Sequence, residues 1–331
     1  MAQFTKYSSA DAGAPELSGT AGSLINVLTA VLVTGYGSKT AAGWTNPVAT
    51  AGNCASYKQG GGAGYAFQIN DNGPHATPSY SEAWATGWKV CTAVTAPVGT
   101  GSGQFPTAAQ LLTTGHVVIR KSLTTDAVPR PWVIFADDRT LYLMVRGAHV
   151  ALDQLGEFMF GEIYSYYATD DHSCIICGRT VENNINGPLR GGINLMRTPA
   201  TTSPTPAAGC YAADNQAGSS GSLQLWPCGD TSLNAMVRST SSGAPADGNV
   251  PAPNMANSAL YVAPYLLLES TWAIRGRFRG LVHLCHPVSS VADGTIITGA
   301  NIFAGKTFQV FNPGSNNGHN VIETSDTLDT R

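Results

Sequence analysis

Charge is scarce in this sequence. Charged residues make up 12% of the 331 positions, about half of the roughly 25% usual in soluble domains. Lys plus Arg total 18 and Asp plus Glu 21, a formal charge of −3. That argues against a basic nucleic-acid binder, because neutralising phosphates takes clustered Lys and Arg. Long apolar runs are missing too. The longest, Leu24 to Val33, spans ten residues with Asn26 and Thr29 inside it, about half of what a membrane span needs. Met1 to Ser9 has no basic stretch leading into an apolar one, so no secretory leader is expected and synthesis in a cytoplasm is. Seven cysteines are too few for a disulfide scaffold, and an odd number leaves at least one unpaired within the chain. Neither a His-Glu-x-x-His nor a Gly-x-Ser-x-Gly motif occurs. No repeat of about 20 to 50 residues is apparent, which disfavours solenoids and propellers.

What is abundant is glycine and proline, 37 and 19 residues. So many helix breakers argue against a helical bundle. A hydrophobic content of 43% is enough for a substantial core and argues against disorder. The expected fold is mainly β: an antiparallel sandwich or barrel-like core with Greek-key connections, one N-terminal α-helix and long loops.

Residues 1–15 read as an extended N-terminal arm, and 16–331 as the β-rich domain. A helix is expected over 16–34, capped by Ser18 or Ser23 and stopped by Gly35, with Leu24, Leu28, Val31 and Leu32 on one face. Tyr65–Ile69 alternates and runs into Asn70-Asp-Asn-Gly73, a turn signal. Phe105–Leu112 reads as a short helix. The clearest hairpin joins Trp132–Ala136 to Thr140–Val145 across Asp137-Asp138-Arg139. Phe158–Phe160, Glu162–Tyr166 and Cys174–Cys177 continue the strand series, as do segments between Ala259 and Thr324. Residues 181–258, rich in Gly, Ser, Thr and Pro, read as a long excursion with few core-forming runs. A division into two β-subdomains near residue 180 is allowed.

Each motif that hints at chemistry has a plainer explanation. Gly35-Tyr-Gly-Ser-Lys39 resembles the end of a phosphate loop, yet Ser38 stands where glycine is required and the loop follows a helix. Asp137-Asp138 and Asp170-Asp171-His172 are the densest acidic points, and both sit where a turn is expected. Cys174-Ile-Ile-Cys177 with His283, Cys285 and His286 offers zinc-ligand types. In a strand, however, residues three apart face opposite sides. Cys210 and Cys228 bracket a polar loop and are candidates for pairing. Trp44, Trp84, Trp88, Trp132, Trp226 and Trp272 suit core anchoring better than a sugar platform. No catalytic, cofactor-binding or metal-ligating residue is assigned, and no enzyme activity is expected.

Several stretches carry a resemblance. Pro15–Leu24 with Gly35–Trp44, Arg130-Pro-Trp132 with Asp137–Leu143, and Phe160–Ser165 are similar to segments of a family of tailed-bacteriophage structural proteins. So are Leu260–Pro264, Ile274–Leu281, Ala304–Phe308 and Ile322–Asp326. The order of these motifs is the specific part, while residues 45–64 and 181–258 diverge. The resemblance implies a non-enzymatic virion protein assembled in a host bacterial cytoplasm, in the tail at the baseplate or neck. Its partners would be copies of itself in a ring or lattice and adjoining tail-tube, sheath or baseplate proteins. Capsid decoration, head–tail joining and a receptor- or glycan-binding tail tip are the alternatives.

Overall fold

A computed structural model describes residues 4–73, 81–114, 116–146, 156–167, 170, 172–180, 209–213, 226–228, 262–268, 274–284, 294–300, 304–311 and 319–324. The chain is mainly β, built of antiparallel sheets that form a curled half-barrel. Among the described residues no helix is long and apolar enough to cross a membrane.

The chain opens with β1 (Thr5–Ser8), followed by helix α1 (Ser23–Thr29), which ends in a π-helical turn over Ala30–Thr34. The helix begins at Ser23 rather than at residue 16. Residues 16–22 are held in another conformation by a neighbouring segment: Leu17 bridges Arg130, and the Gly19 amide donates to the Asp126 carbonyl. Neither expected serine caps it through its side chain. Instead, the Asp71 carboxylate accepts from the Leu24 and Ile25 amides at 2.8 and 3.4 Å. Gly35 does end the helix, donating to the Ala30 carbonyl five residues back.

Next come β2 (Cys54–Lys58), β3 (Ala66–Gly73), β4 (Ser81–Ala93), β5 (Thr100–Phe105), α2 (Ala108–Thr114) and β6 (Val117–Ser122). They form the first part of the sheet, with β3 and β4 side by side and β5 and β6 end to end along the far edge of β4. Asn70–Gly73 is therefore not a turn but the bulged end of β3, with Asp71 buried. Helix α2 starts later than expected because Thr107 and Gln110 cap it reciprocally.

The second part comprises β7 (Trp132–Ala136), β8 (Thr140–Val145), β9 (Gly156–Ser165), β10 (Cys174–Thr180) and β11 (Gly209–Ala212), with β1 on the outer edge of β7. Of the expected arm, residues 1–15, the part from residue 4 onward is described, and it is held by its own chain. Tyr7 is buried, its hydroxyl donates to the Thr40 carbonyl, and the Ser9 amide donates to Trp132. The segment is laced into its own fold.

The third part comprises β12 (Trp226–Cys228), β13 (Val262–Leu268), β14 (Ile274–Leu284), β15 (Ile296–Thr298), β16 (Thr307–Phe311) and β17 (His319–Glu323). The ladder runs across residue 180 without a break: β10 pairs with β6, β9 and β11, and β9 pairs with β14. The transfer happens at Gly161, where φ is 144° and a Cβ would press on Thr140 Cα at 2.5 Å. Beyond it β9 leaves β8 and takes up β14. Most of the expected excursion 181–258 lies outside the described residues. Its described pieces are strands, and Tyr211 is fully buried.

Two cores explain the nearly unbroken hydrophobicity of the middle strands. Leu24, Val27, Leu28, Val31 and Leu32 on the helix pack in one cluster with Tyr57, Phe67, Ile69, Ile119, Leu141, Leu143, Phe158, Phe160 and Ile176. The alternate residues, Tyr142, Met144, Met159 and Ile175, join Phe278, Leu281 and Ile322 of the third part in a second cluster. The middle strands are thus buried on both faces, so their sequences lose the polar–apolar alternation of a half-exposed strand.

Candidate functional site

The β7–β8 turn gathers polar contacts from several parts of the described structure. Asp137 Oδ1 accepts from the Arg139 and Thr140 amides at 2.8 and 2.7 Å, the side-chain-to-backbone turn chemistry expected from its sequence. The carboxylate does more than close the turn. Arg279 of β14 reaches it with both terminal nitrogens, Nη1 to Oδ1 at 3.2 Å and Nη2 to Oδ2 at 2.7 Å, and Nη1 also donates to Thr140 Oγ1. Burial works against the Arg279 charge, but the Asp137 carboxylate and Tyr164 outweigh it and raise the guanidinium pKa.

A glycine-rich loop folds over the same turn. The Gly60 and Gly61 amides donate to the Asp138 carbonyl, and the Ala63 amide donates to Glu162 Oε1 at 2.7 Å. Gly62 has φ of 63°, and a side chain there would overlap the Glu162 carboxylate. Trp44 Nε1 donates to the Asp137 carbonyl. This loop is a packed clasp around a hairpin, with the amides of Gly60, Gly61 and Ala63 already taken.

The second acidic point is absorbed by the same strand. Arg275 donates bidentately to Asp170, Nε to Oδ2 and Nη2 to Oδ1, both at 2.7 Å, and the pair is buried. Asp170 Oδ1 also accepts from the His172 amide, and His172 Nδ1 lies 3.2 Å from the Tyr65 hydroxyl. Asp171 lies outside the described residues. Both acidic motifs thus converge on alternate arginines of β14, more than 100 residues downstream. A signal for this was present in Ile274-Arg-Gly-Arg-Phe-Arg-Gly280: arginines at period two share one face of a strand. Aromatic rings line that face. Arg275 stacks on Tyr167, Arg277 on Tyr164, and Arg279 on Tyr164 and Phe4, at 5.2 to 5.8 Å from the ring centroids.

The remaining candidates fall to structural roles. Tyr36 and Lys39 pair across a tight turn, and Lys39 Nζ donates to the Lys6 carbonyl, so this segment is a turn facing the N-terminal strand. Cys174 and Cys177 are buried in the two different cores, on opposite faces of β10. Cys285 and His286 lie outside the described residues, and among those described no three metal-ligating side chains converge. The strand register sets Cys210 opposite Cys177 and Cys228 opposite Leu266. Trp44, Trp88 and Trp132 are buried, as core anchors should be.

Trp84 is partly exposed and stacks on His116, rings 4.0 Å apart and 16° from parallel. Burial pushes the His116 pKa down to about 4. An unfolded chain takes up this proton near pH 6.5, so stability should fall as pH drops from 6.5 towards 4 and level off below. After allowance for solvent screening of a partly exposed ring, the loss should be on the order of 1 kcal/mol. Thermal midpoints against pH for the protein and for His116→Gln check this: the variant should show a flatter slope in that window.

Two further buried pairs hold the first part of the sheet. Arg120 grips Glu82 Oε1 through Nε and Nη2 at 3.0 and 2.7 Å. Lys121 pairs with Asp71, both side chains fully buried, and also donates to the Thr20 carbonyl at 2.8 Å. No protein-family model matches this sequence, and no match was found among curated proteins.

Proposed function

We propose that this chain is a non-enzymatic structural protein of a tailed-phage particle, present in several copies in the tail at the baseplate or neck. The observation that carries the reading is where the charge goes. Four ion pairs, Asp71–Lys121, Glu82–Arg120, Asp137–Arg279 and Asp170–Arg275, have side chains no more than 10% exposed. These pairs withdraw eight of the 39 charged residues from the surface of a chain in which charge is already scarce, at 12%. A weakly charged surface loses little hydration when it packs against a neighbour, which favours repeated subunit contacts. Carboxylates held bidentately by arginine keep a shape and are poorly placed to exchange protons with a substrate. Head-to-tail contacts between such subunits close into rings by symmetry. The order of the motifs similar to tailed-phage structural proteins supports the particle assignment.

Quantitative mass spectrometry of purified virions, combined with immunogold labelling, tests this. The chain should be found in multiple copies, with gold at the tail. Absence from the particles would overturn the reading, and gold over the head surface would move the protein to a capsid-decorating role.

A further inference from the structure

We propose that Arg277 is a receptor for an oxyanion, a carboxylate by chemical class, supplied from outside this fold. Three arginines share one face of β14, and two of them already hold a carboxylate in a two-point grip: Arg275 with Asp170 and Arg279 with Asp137. The side chain of Arg277, between them, has neither an ion pair nor a hydrogen bond among the described residues. Its Nε is sealed from solvent with no acceptor. The guanidinium is half-buried and rests on the Tyr164 ring at 5.2 Å from the centroid. Tyr164 itself sits on β9, opposite Arg277 in the strand register.

Of the guanidinium nitrogens only Nε is sealed, so an incoming carboxylate meets the terminal nitrogens, which hold no partner among the described residues. The cation–π contact with the aromatic ring beneath restrains the guanidinium, which lowers the ordering needed on binding. The two flanking carboxylates balance the two flanking arginines, and no carboxylate among the described residues balances Arg277 at the centre of the row. A planar guanidinium presents parallel donors that match a carboxylate or phosphate edge, a match that a lysine ammonium cannot reproduce. This inference stands on the β14 row alone and does not depend on the virion assignment. The carboxylate has two possible sources, an acidic side chain of another protein chain or a free small carboxylate.

The test uses the full-length protein, sodium acetate as probe and sodium chloride at matched ionic strength as reference. The backbone amide signals of Tyr164 and Phe278 are followed by NMR, with sedimentation velocity on the same samples. Acetate should move both signals along a saturable curve that chloride does not produce. Arg277→Lys, which keeps the charge and loses the fork, should weaken that response at least about tenfold. Its thermal midpoint should stay near that of the parent. If acetate binding also dissociates oligomers, the natural carboxylate belongs to a neighbouring chain; if sedimentation is unchanged, it is a free one. A response that merely follows ionic strength, or one that survives in Arg277→Lys, overturns the proposal.

Discussion

Lys121→Met is expected to destabilise the protein by about 3–5 kcal/mol, because it strands the Asp71 carboxylate in the interior without its cation. Both side chains of the pair are fully buried. Burial pushes the Asp71 carboxyl up and the Lys121 ammonium down, and each partner only partly offsets the other's shift. Asp71 also caps α1 through the Leu24 and Ile25 amides, so the damage would reach the helix that packs into the first core cluster. The sign of the pH dependence follows. A carboxyl whose folded pKa lies above its unfolded value favours folding at low pH and loses that benefit as pH rises through the folded pKa. The deficit of Lys121→Met should therefore shrink as pH is lowered towards 4. The double variant Asp71→Asn with Lys121→Met should recover much of the loss, since Asn keeps an acceptor for the helix amides and no charge is left behind. Urea midpoints at pH 7 and pH 5 for the three variants measure this. A single variant within about 0.5 kcal/mol of the parent would show that the ion pair does not hold the helix in place.

That buried pair also marks where local sequence signals stop being informative. Asn70-Asp-Asn-Gly73 has the composition of a turn, and turn propensity is a statement about neighbours in sequence. Here the winning partners are a helix terminus 47 residues upstream and a lysine 50 residues downstream, so the segment stays in a strand and Asp71 points inward. The hairpin from Trp132 to Val145 was legible residue for residue, because both strands and the turn carry their own signals. The divergence of Cys174 and Cys177 was legible for the same reason: strand periodicity is local. Strands β9 and β14 look like separate pieces in the sequence because Gly161, Gly276 and Gly280 read as interruptions. In the fold Gly161 is the point where β9 changes partner, and Gly280 (φ 61°) lies within an unbroken β14. The helix face from Leu24 to Leu32 was readable, whereas its start was not, since a distant carboxylate sets it. In the candidate site the acidic residues stood out and their arginines did not, because 105 and 142 positions separate the partners.

The two adjacent aspartates of the β7–β8 turn should respond to alanine very differently. If turn chemistry were their whole role, either substitution would cost about 1 kcal/mol or less. Asp137 is 3% exposed; its carboxylate accepts from two turn amides and holds Arg279 of β14 through both oxygens. Removing it opens the turn and leaves a buried guanidinium unpaired, so Asp137→Ala should cost about 3–5 kcal/mol. The Asp138 side chain is 37% exposed. Its Oδ1 has no hydrogen-bond partner and lies 3.9 Å from Arg139 Nε, a separation too long for a hydrogen bond. What the clasp uses from Asp138 is its backbone carbonyl, which alanine retains. Asp138→Ala should therefore stay within about 0.5 kcal/mol of the parent. Asp137→Asn separates the two contributions at Asp137, since it preserves an acceptor for the Arg139 and Thr140 amides while removing the charge that balances Arg279. It should fall between the alanine variant and the parent, and pairing Asp137→Ala with Arg279→Met should restore part of the loss by removing the stranded cation. Equal urea midpoints for Asp137→Ala and Asp138→Ala would refute the picture of Asp137 as the tie between the middle strands and β14. A large gap between them would show that one residue of an apparently ordinary turn fastens two parts of the sheet together.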